Sequence, residues 1–267
     1  KKLCQVLNCE IASFDEQLRT LKEQENKNAD NQVVLDIIPY GRHYIDEDDI
    51  QAVVDVLRQG MLTQGPKVSE FEKKIASYVG VKYAVAVANG TAALHLSCMV
   101  LDLGEGDEVI TSPNTFVATS NSMLYVGAKP VFVDIDKQTL NIDINKIEKT
   151  ILSSNNIKAI FPVHFGGLPC DMKQIKKLAD KHHLTIVEDA SHALGATYED
   201  GSKVGNCKYS DMTTMSFHPV KGIAAGEGGM ITTNDYSLYR KLTLLRSHGI
   251  TKGNFEFPGI SEADNSL

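Results

Sequence analysis

Tyr83-Ala84-Val85-Ala86-Val87-Ala88-Asn89-Gly90-Thr91-Ala92-Ala93-Leu94 is the run whose reading decides the fold. Its first six residues carry no charge and suit a buried strand. Gly90 permits a tight turn, and Thr91 opens a helix that the pattern carries to Leu101. The same switch recurs downstream. Strands are predicted over 108–111, 130–135, 157–163 and 184–188, with helices over 115–126, 144–152 and 172–182. Strand-helix alternation of this kind predicts an α/β domain, a mostly parallel sheet with helices on both faces. Ligands of such sheets sit beyond the carboxyl ends of the strands, so chemistry is expected there.

Upstream of that run, residues 1–33 read as a separate unit. Cys4, Leu7, Ile11, Phe14, Leu18 and Leu21 recur in steps of three and four, which predicts an amphipathic helix, followed by a polar linker. The main domain is assigned to 34–267. Ile45-Asp46-Glu47-Asp48-Asp49 opens a helix with acids in its first turn, where the helix dipole favours them. Gly60-Met61-Leu62-Thr63-Gln64-Gly65-Pro66 is a turn, and a second amphipathic helix follows through Val68, Phe71, Ile75 and Val79.

The 267 residues are 42% hydrophobic and 23% charged, an ordinary soluble composition. A formal charge of −7 without a basic block argues against nucleic acid or an anionic membrane as main partner. No apolar run reaches the roughly 18 residues of a membrane span. The five cysteines are scattered and include no C-x-x-C pair, which fits free thiols in a reducing cytoplasm.

The strand ends carry the residues of interest. Gly90-Thr91 begins a helix whose free N–H groups and hydroxyl suit a phosphate, although a plain N-cap reads the same way. The run lacks the G-x-G-x-x-G spacing of dinucleotide sites and the Walker spacing, so a nucleotide-binding oxidoreductase loses support. Phe116, after Pro113-Asn114-Thr115, can lie flat on an aromatic ligand or belong to the core. Val187-Glu188-Asp189-Ala190-Ser191-His192 places acids directly after a buried strand, where a cationic partner or a helix N-cap would explain Asp189. A pyridinium nitrogen is one such partner, and His192 could reach the edge of the same ligand. Finally, Lys221 sits in the glycine-rich stretch Ser216-Phe217-His218-Pro219-Val220-Lys221-Gly222-Ile223-Ala224-Ala225-Gly226-Glu227-Gly228-Gly229, between two strand-like runs. It reads as a hairpin lysine in solvent or as a lysine that forms a Schiff base with a carbonyl such as pyridoxal 5'-phosphate (PLP). Ser216 can donate to a phosphate oxygen. A phosphate cradle, a stacking ring, an acid and a lysine together suit that one ligand.

In this order the motifs resemble the DegT/DnrJ/EryC1/StrS sugar aminotransferases over residues 38–249. The resemblance is carried by Leu62-Thr63-Gln64-Gly65-Pro66, Asn89-Gly90-Thr91-Ala92-Ala93-Leu94, Pro113-Asn114-Thr115-Phe116, Pro162-Val163-His164, Glu188-Asp189-Ala190-Ser191-His192-Ala193, the Lys221 stretch, Gly226-Glu227-Gly228-Gly229 and Leu245-Arg246-Ser247-His248-Gly249. It implies the large domain of the PLP-dependent transferase fold type I, like that of aspartate aminotransferase. By the same resemblance Lys221 and Asp189 would be catalytic. Gly90, Thr91, Ala92 and Ser216 would bind the cofactor phosphate. Phe116 would stack on its ring, and His192 would meet its phenolic oxygen. Tyr40, Gly60, Met61, Leu62 and Thr63 would line the substrate site, and no metal is implied. Lysine rather than histidine at position 221 favours transamination over sugar dehydration.

Cys170-Asp171-Met172, Ala190-Ser191-His192 and Phe217-His218-Pro219-Val220-Lys221 look most like the branch serving pseudaminic acid biosynthesis. That branch moves an amino group from L-glutamate to C4 of a UDP-linked 4-keto-6-deoxy sugar. Perosamine- or bacillosamine-type substrates and a non-catalytic PLP-fold binder are the alternatives. The resemblance further implies a homodimer. It implies too that a small C-terminal domain and an Asn-x-Arg segment follow the large domain, so 34–267 is expected to be truncated at its C-terminal end.

Overall fold

A computed structural model of the chain describes residues 43–250. The predicted N-terminal helix and linker, Tyr40 and the residues after 250 lie outside the described residues.

Two helices lead in, α1 (Glu47–Gln59) and α2 (Pro66–Val79). Asp46 caps α1 by accepting from the backbone of Asp48 and Asp49, and the Asp49 side chain accepts in return from Asp46 N–H. This reciprocal pairing is why the acid-rich start forms a helix. Pro66 takes the first position of α2, where a missing N–H costs nothing. There follow β1 (Tyr83–Val87), α3 (Gly90–Val100), β2 (Glu108–Thr111), α4 (Ala118–Tyr125), β3 (Lys129–Phe132), α5 (Ile144–Ser153), β4 (Ile157–Phe161), α6 (Met172–His182), β5 (Thr185–Asp189), β6 (Met212–Ser216), β7 (Gly229–Thr233) and α7 (Tyr236–Arg246).

The strands form one seven-stranded sheet in the order β1-β7-β6-β5-β4-β2-β3. Every pairing from β3 across to β6 is parallel, while β7 runs antiparallel to both β1 and β6. The chain therefore brings the ends of β1, β2, β5 and β6 and the start of β7 to a single edge of the sheet. Apolar side chains leave both faces. On one face Ile110, Ile160, Ile186, Met215 and Met230 pack with α2, α5 and α6. On the other, Val85, Val109, Phe161, Val187, Met212 and Ile231 pack with α3, α4 and α7.

The alternation read from the sequence holds from β1 to β7, although the strands expected over 130–135 and 157–163 end at Phe132 and Phe161, and four further points differ. The helix expected over 115–126 begins at Ala118. Ser112 Oγ accepts from Asn114 N–H, and Asn114 Nδ2 donates to Leu140 O, so the chain is held as a loop through Phe116. Asn89, not Thr91, caps α3, because its carboxamide oxygen accepts from Ala92 N–H at 2.8 Å. No helix follows Asp189 directly, so it is no N-cap; it ends β5 and closes a turn instead. Helix α7 was not assigned from the sequence; its start is marked by Asp235, whose side chain accepts from Leu238 N–H.

Backbone contact at the functional edge is close. A Cβ added to Gly229 would lie 2.3 Å from Asn89 O and 2.9 Å from Gly90 N. The start of β7 thus leans directly on the turn that opens α3. We expect Gly229→Ala to lower stability by about 1–3 kcal/mol through overpacking. The urea midpoint tests this, and an unchanged midpoint would contradict the contact.

Candidate active site

The 12 residues between Ser216 and Gly229 join an antiparallel pair, so Lys221 does sit in a hairpin loop. It is not a solvated lysine. Its side chain is half-buried, and among the described residues Nζ makes no hydrogen bond or ion pair. Its backbone N–H donates to His218 O at 2.8 Å and shapes the turn. Burial holds the Lys221 ammonium below the usual lysine range, opposed in part by the charge of Asp189. A larger share of the amine is therefore neutral and nucleophilic near neutral pH.

Asp189 lies at the last position of β5, on the face shared with Val187 and α4, and is 4% exposed. Its Oδ1 accepts from the N–H and the hydroxyl of Ser191, at 3.1 and 2.7 Å. Oδ2 accepts from Thr119 Oγ1 at 2.7 Å. Each carboxylate oxygen has two acceptor sites, so Oδ2 retains one for a cationic N–H. Thr119 was not singled out in the sequence. It lies three residues after Phe116, which places both on one side of the helix start, and that spacing is the signal that could have found it.

Phe116 is 73% exposed. A core role is excluded, and a large bare ring beside a strand end is free to cover a flat ligand. Its carbonyl accepts from Thr119 N–H at 3.2 Å, which ties the loop to the helix carrying Thr119.

At the start of α3, the Ala92 N–H expected to meet a phosphate is taken by Asn89, which leaves the N–H groups of Gly90 and Thr91 for that role. A Cβ added to Gly90 would come within 3.0 Å of Ser216 Cβ and 3.3 Å of its Oγ. The Ser216 hydroxyl and the helix N-terminus therefore meet at one place. That is the donor set a phosphate requires.

His192 is exposed, and its ring packs edge-on to Phe165 at 6.4 Å. Partial burial, then the Lys221 charge, push its imidazole below the usual range, while Asp189 pulls the other way. Lys221 and His192 thus both feel the charge of Asp189. Gly60, Met61, Leu62 and Thr63 follow α1 and are exposed; no hydrogen bond, ion pair or ring contact joins them to the lysine loop among the described residues.

Among the described residues, a half-buried amine without a partner, a buried carboxylate with an unused acceptor site and a hydroxyl against a helix N-terminus fit the groups of PLP. Together with the sheet order they define an α/β large domain of the PLP-dependent transferase class. The chain belongs to the DegT/DnrJ/EryC1/StrS aminotransferase family, whose pattern matches residues 43–259.

Among its relatives, the UDP-4-amino-4,6-dideoxy-N-acetyl-beta-L-altrosamine transaminase of Campylobacter jejuni is 44% identical over 217 residues, 81% of this chain and 56% of that protein. The UDP-4-amino-4-deoxy-L-arabinose--oxoglutarate aminotransferase of Shewanella sediminis is 40% identical over 223 residues, 83% and 55% of the two chains. Solved structures of Spr1654 from Streptococcus pneumoniae, a proposed sugar aminotransferase, exist in PMP- and PLP-forms. The PMP-form is 34% identical with a TM-score of 0.76 over 81% of this chain and 58% of that one. The PLP-form gives 34% and 0.73 over 78% and 57%. The family's cofactor is accordingly PLP. The chain spans about half the length of the curated relatives it matches.

We expect Phe116→Ala to leave the apo protein within about 0.5 kcal/mol of its original stability, since an exposed ring supports no core. PLP affinity should fall by about tenfold, the worth of one stacked ring. Melting curves and absorbance titration separate the two effects; a destabilised apo protein with unchanged affinity would contradict this placement of Phe116.

Proposed function

We propose that this chain is the cofactor-binding large domain of an aminotransferase that moves an amino group from L-glutamate to C4 of a UDP-linked 4-keto-6-deoxy sugar. The sugar is read as UDP-4-keto-6-deoxy-N-acetyl-beta-L-altrosamine, of pseudaminic acid biosynthesis. The observation that carries the reading is Lys221, a half-buried amine with no partner among the described residues and in electrostatic reach of Asp189. PLP, when bound, supplies the electron sink that stabilises negative charge at the amino donor's Cα. Lys221 Nζ would hold the cofactor and then move a proton to and from that carbon. Its depressed basicity suits a group that must take and return a proton near neutral pH. Asp189 would hold the ring nitrogen in its cationic form, with Thr119 and Ser191 fixing the carboxylate. Gly90, Thr91 and Ser216 would anchor the phosphate, Phe116 would cover the ring, and His192 would approach its oxygen.

The 4-keto-6-deoxy-N-acetyl sugar is supported by the Campylobacter relative and by the Cys170-Asp171-Met172 and Ala190-Ser191-His192 runs. The Shewanella relative, nearly as similar, favours a second reading in which the substrate is a UDP-linked 4-keto pentose. The exposed turn of Gly60, Met61, Leu62 and Thr63 is the part of the described chain proposed to meet the nucleotide sugar. A homodimer and a cytoplasmic location are proposed with it; Cys98, Cys170 and Cys207 are free and buried, in keeping with a reducing compartment.

The test is amino transfer from L-glutamate to each keto sugar, followed through 2-oxoglutarate. Turnover on the hexose substrate is expected, and Lys221→Ala should reduce it by at least about a thousandfold. Preference for the pentose would select the second reading. Undiminished multiple turnover by Lys221→Ala would contradict both.

A further inference from the structure

One residue before Asp189, and on the opposite face of β5, lies a second acid. Glu188 is wholly buried. Strand alternation turns its side chain toward the layer holding α2, α5 and α6, away from α4 and Thr119. Its Oε2 accepts from His164 Nε2 at 2.7 Å and from Tyr198 OH at 2.6 Å. Its Oε1 accepts from Thr213 Oγ1 at 3.1 Å and from Ser210 Oγ. The Cys170 N–H donates to His164 Nδ1 at 3.1 Å, so that nitrogen keeps its lone pair. His164 is therefore a neutral ring that donates through Nε2. Burial alone would push the Glu188 carboxyl up, and the donors around it oppose that.

Stability alone is a weak reason for this arrangement. A buried carboxylate carries a large desolvation cost, and apolar residues of similar volume often serve a core as well or better. What the network does is geometric. Its donors come from the loop after β4, the loop after β5, the approach to β6, and β6 itself. The same segments are tied to the backbone at Asp189. Asp189 N–H donates to Pro162 O at 2.9 Å, and Asp189 O accepts from His164 N–H at 3.1 Å. Ala190 N–H donates to Thr214 O at 2.9 Å. The His164 segment is thus fastened to β5 twice, by its backbone at Asp189 and by its imidazole at Glu188.

We propose that Glu188 is a positioning residue: by gathering His164, Tyr198, Ser210 and Thr213 it fixes the strand end from which Asp189 meets the cofactor ring. It touches neither cofactor nor substrate. This rests on the PLP reading of Lys221 and Asp189.

The test compares the full protein with Glu188→Gln, Asp189→Asn, the double variant and Lys221→Ala. Each is titrated with PLP by visible absorbance and across pH at saturating cofactor, and the apo proteins are melted. In Glu188→Gln an amide N–H must face one of the network's donors. We expect PLP binding to weaken by about tenfold, the scale of a disturbed charge-assisted contact. The pH midpoint of the Lys221-dependent band should move as well. The double variant should bind little worse than Asp189→Asn alone, because Glu188 acts through Asp189. Affinity and midpoint unchanged in Glu188→Gln, with or without a lower melting temperature, would overturn the proposal and leave the PLP reading intact. Losses that add fully in the double variant would overturn it too. If Glu188→Gln does not fold, Tyr198→Phe removes one donor and keeps the ring. It should shift affinity in the same direction by a few-fold, and no shift would overturn the proposal. No Lys221-dependent band in the unsubstituted protein would overturn the PLP reading and this inference with it.

Discussion

Two stretches of backbone touch at the functional edge with no side chain between them. Gly229 lies so near the carbonyl of Asn89 that even a methyl group would sit 2.3 Å from its oxygen. That contact seats the start of β7 on the turn before α3. Because Ser216 pairs with Gly229 across the β6–β7 ladder, it also brings the Ser216 hydroxyl to Gly90. The loop carrying Lys221 is suspended between these two strand ends. Its position relative to the helix N-terminus is therefore set by the sheet rather than by the loop's own sequence. The single reversed strand is what makes this possible, since only an antiparallel neighbour can return the chain to the same edge within a short loop.

The pair Glu188 and Asp189 divides labour by strand geometry. Consecutive residues on β5 face opposite layers, so one acid is enclosed by donors and the other is delivered to the open edge. Asp189 keeps its orientation through Thr119, on α4, and Ser191, in the turn that follows β5. Lys221 is left without a partner among the described residues, and its partial burial lowers its basicity. An acid that is held and an amine that is not are the two conditions a carbonyl-binding site needs.

Much of this was legible in the sequence because it rests on local rules. The Tyr83 to Leu94 run, the strand-helix alternation and the capped acid-rich start of α1 follow from periodicity and capping. The chemistry-bearing residues stood out because each follows a strand. What the sequence withheld depends on contacts distant along the chain. Nothing local says that β7 inserts between β1 and β6, or that Asn114 reaches Leu140 and so delays α4 past Phe116. Thr119 looks like any helix residue until Asp189, 70 positions later, is placed beside it. Glu188 read as half of an acidic pair, and its separate role appears only when Ser210 and Tyr198 fold around it.

The central claim is that Lys221 is the residue that takes hold of the cofactor. It is tested most directly by incubating the protein with PLP, reducing with borohydride, and mapping the modified peptide by mass spectrometry. A single phosphopyridoxyl group on Lys221 is the predicted result. Labelling spread over surface lysines, or confined to a lysine other than Lys221, would contradict it.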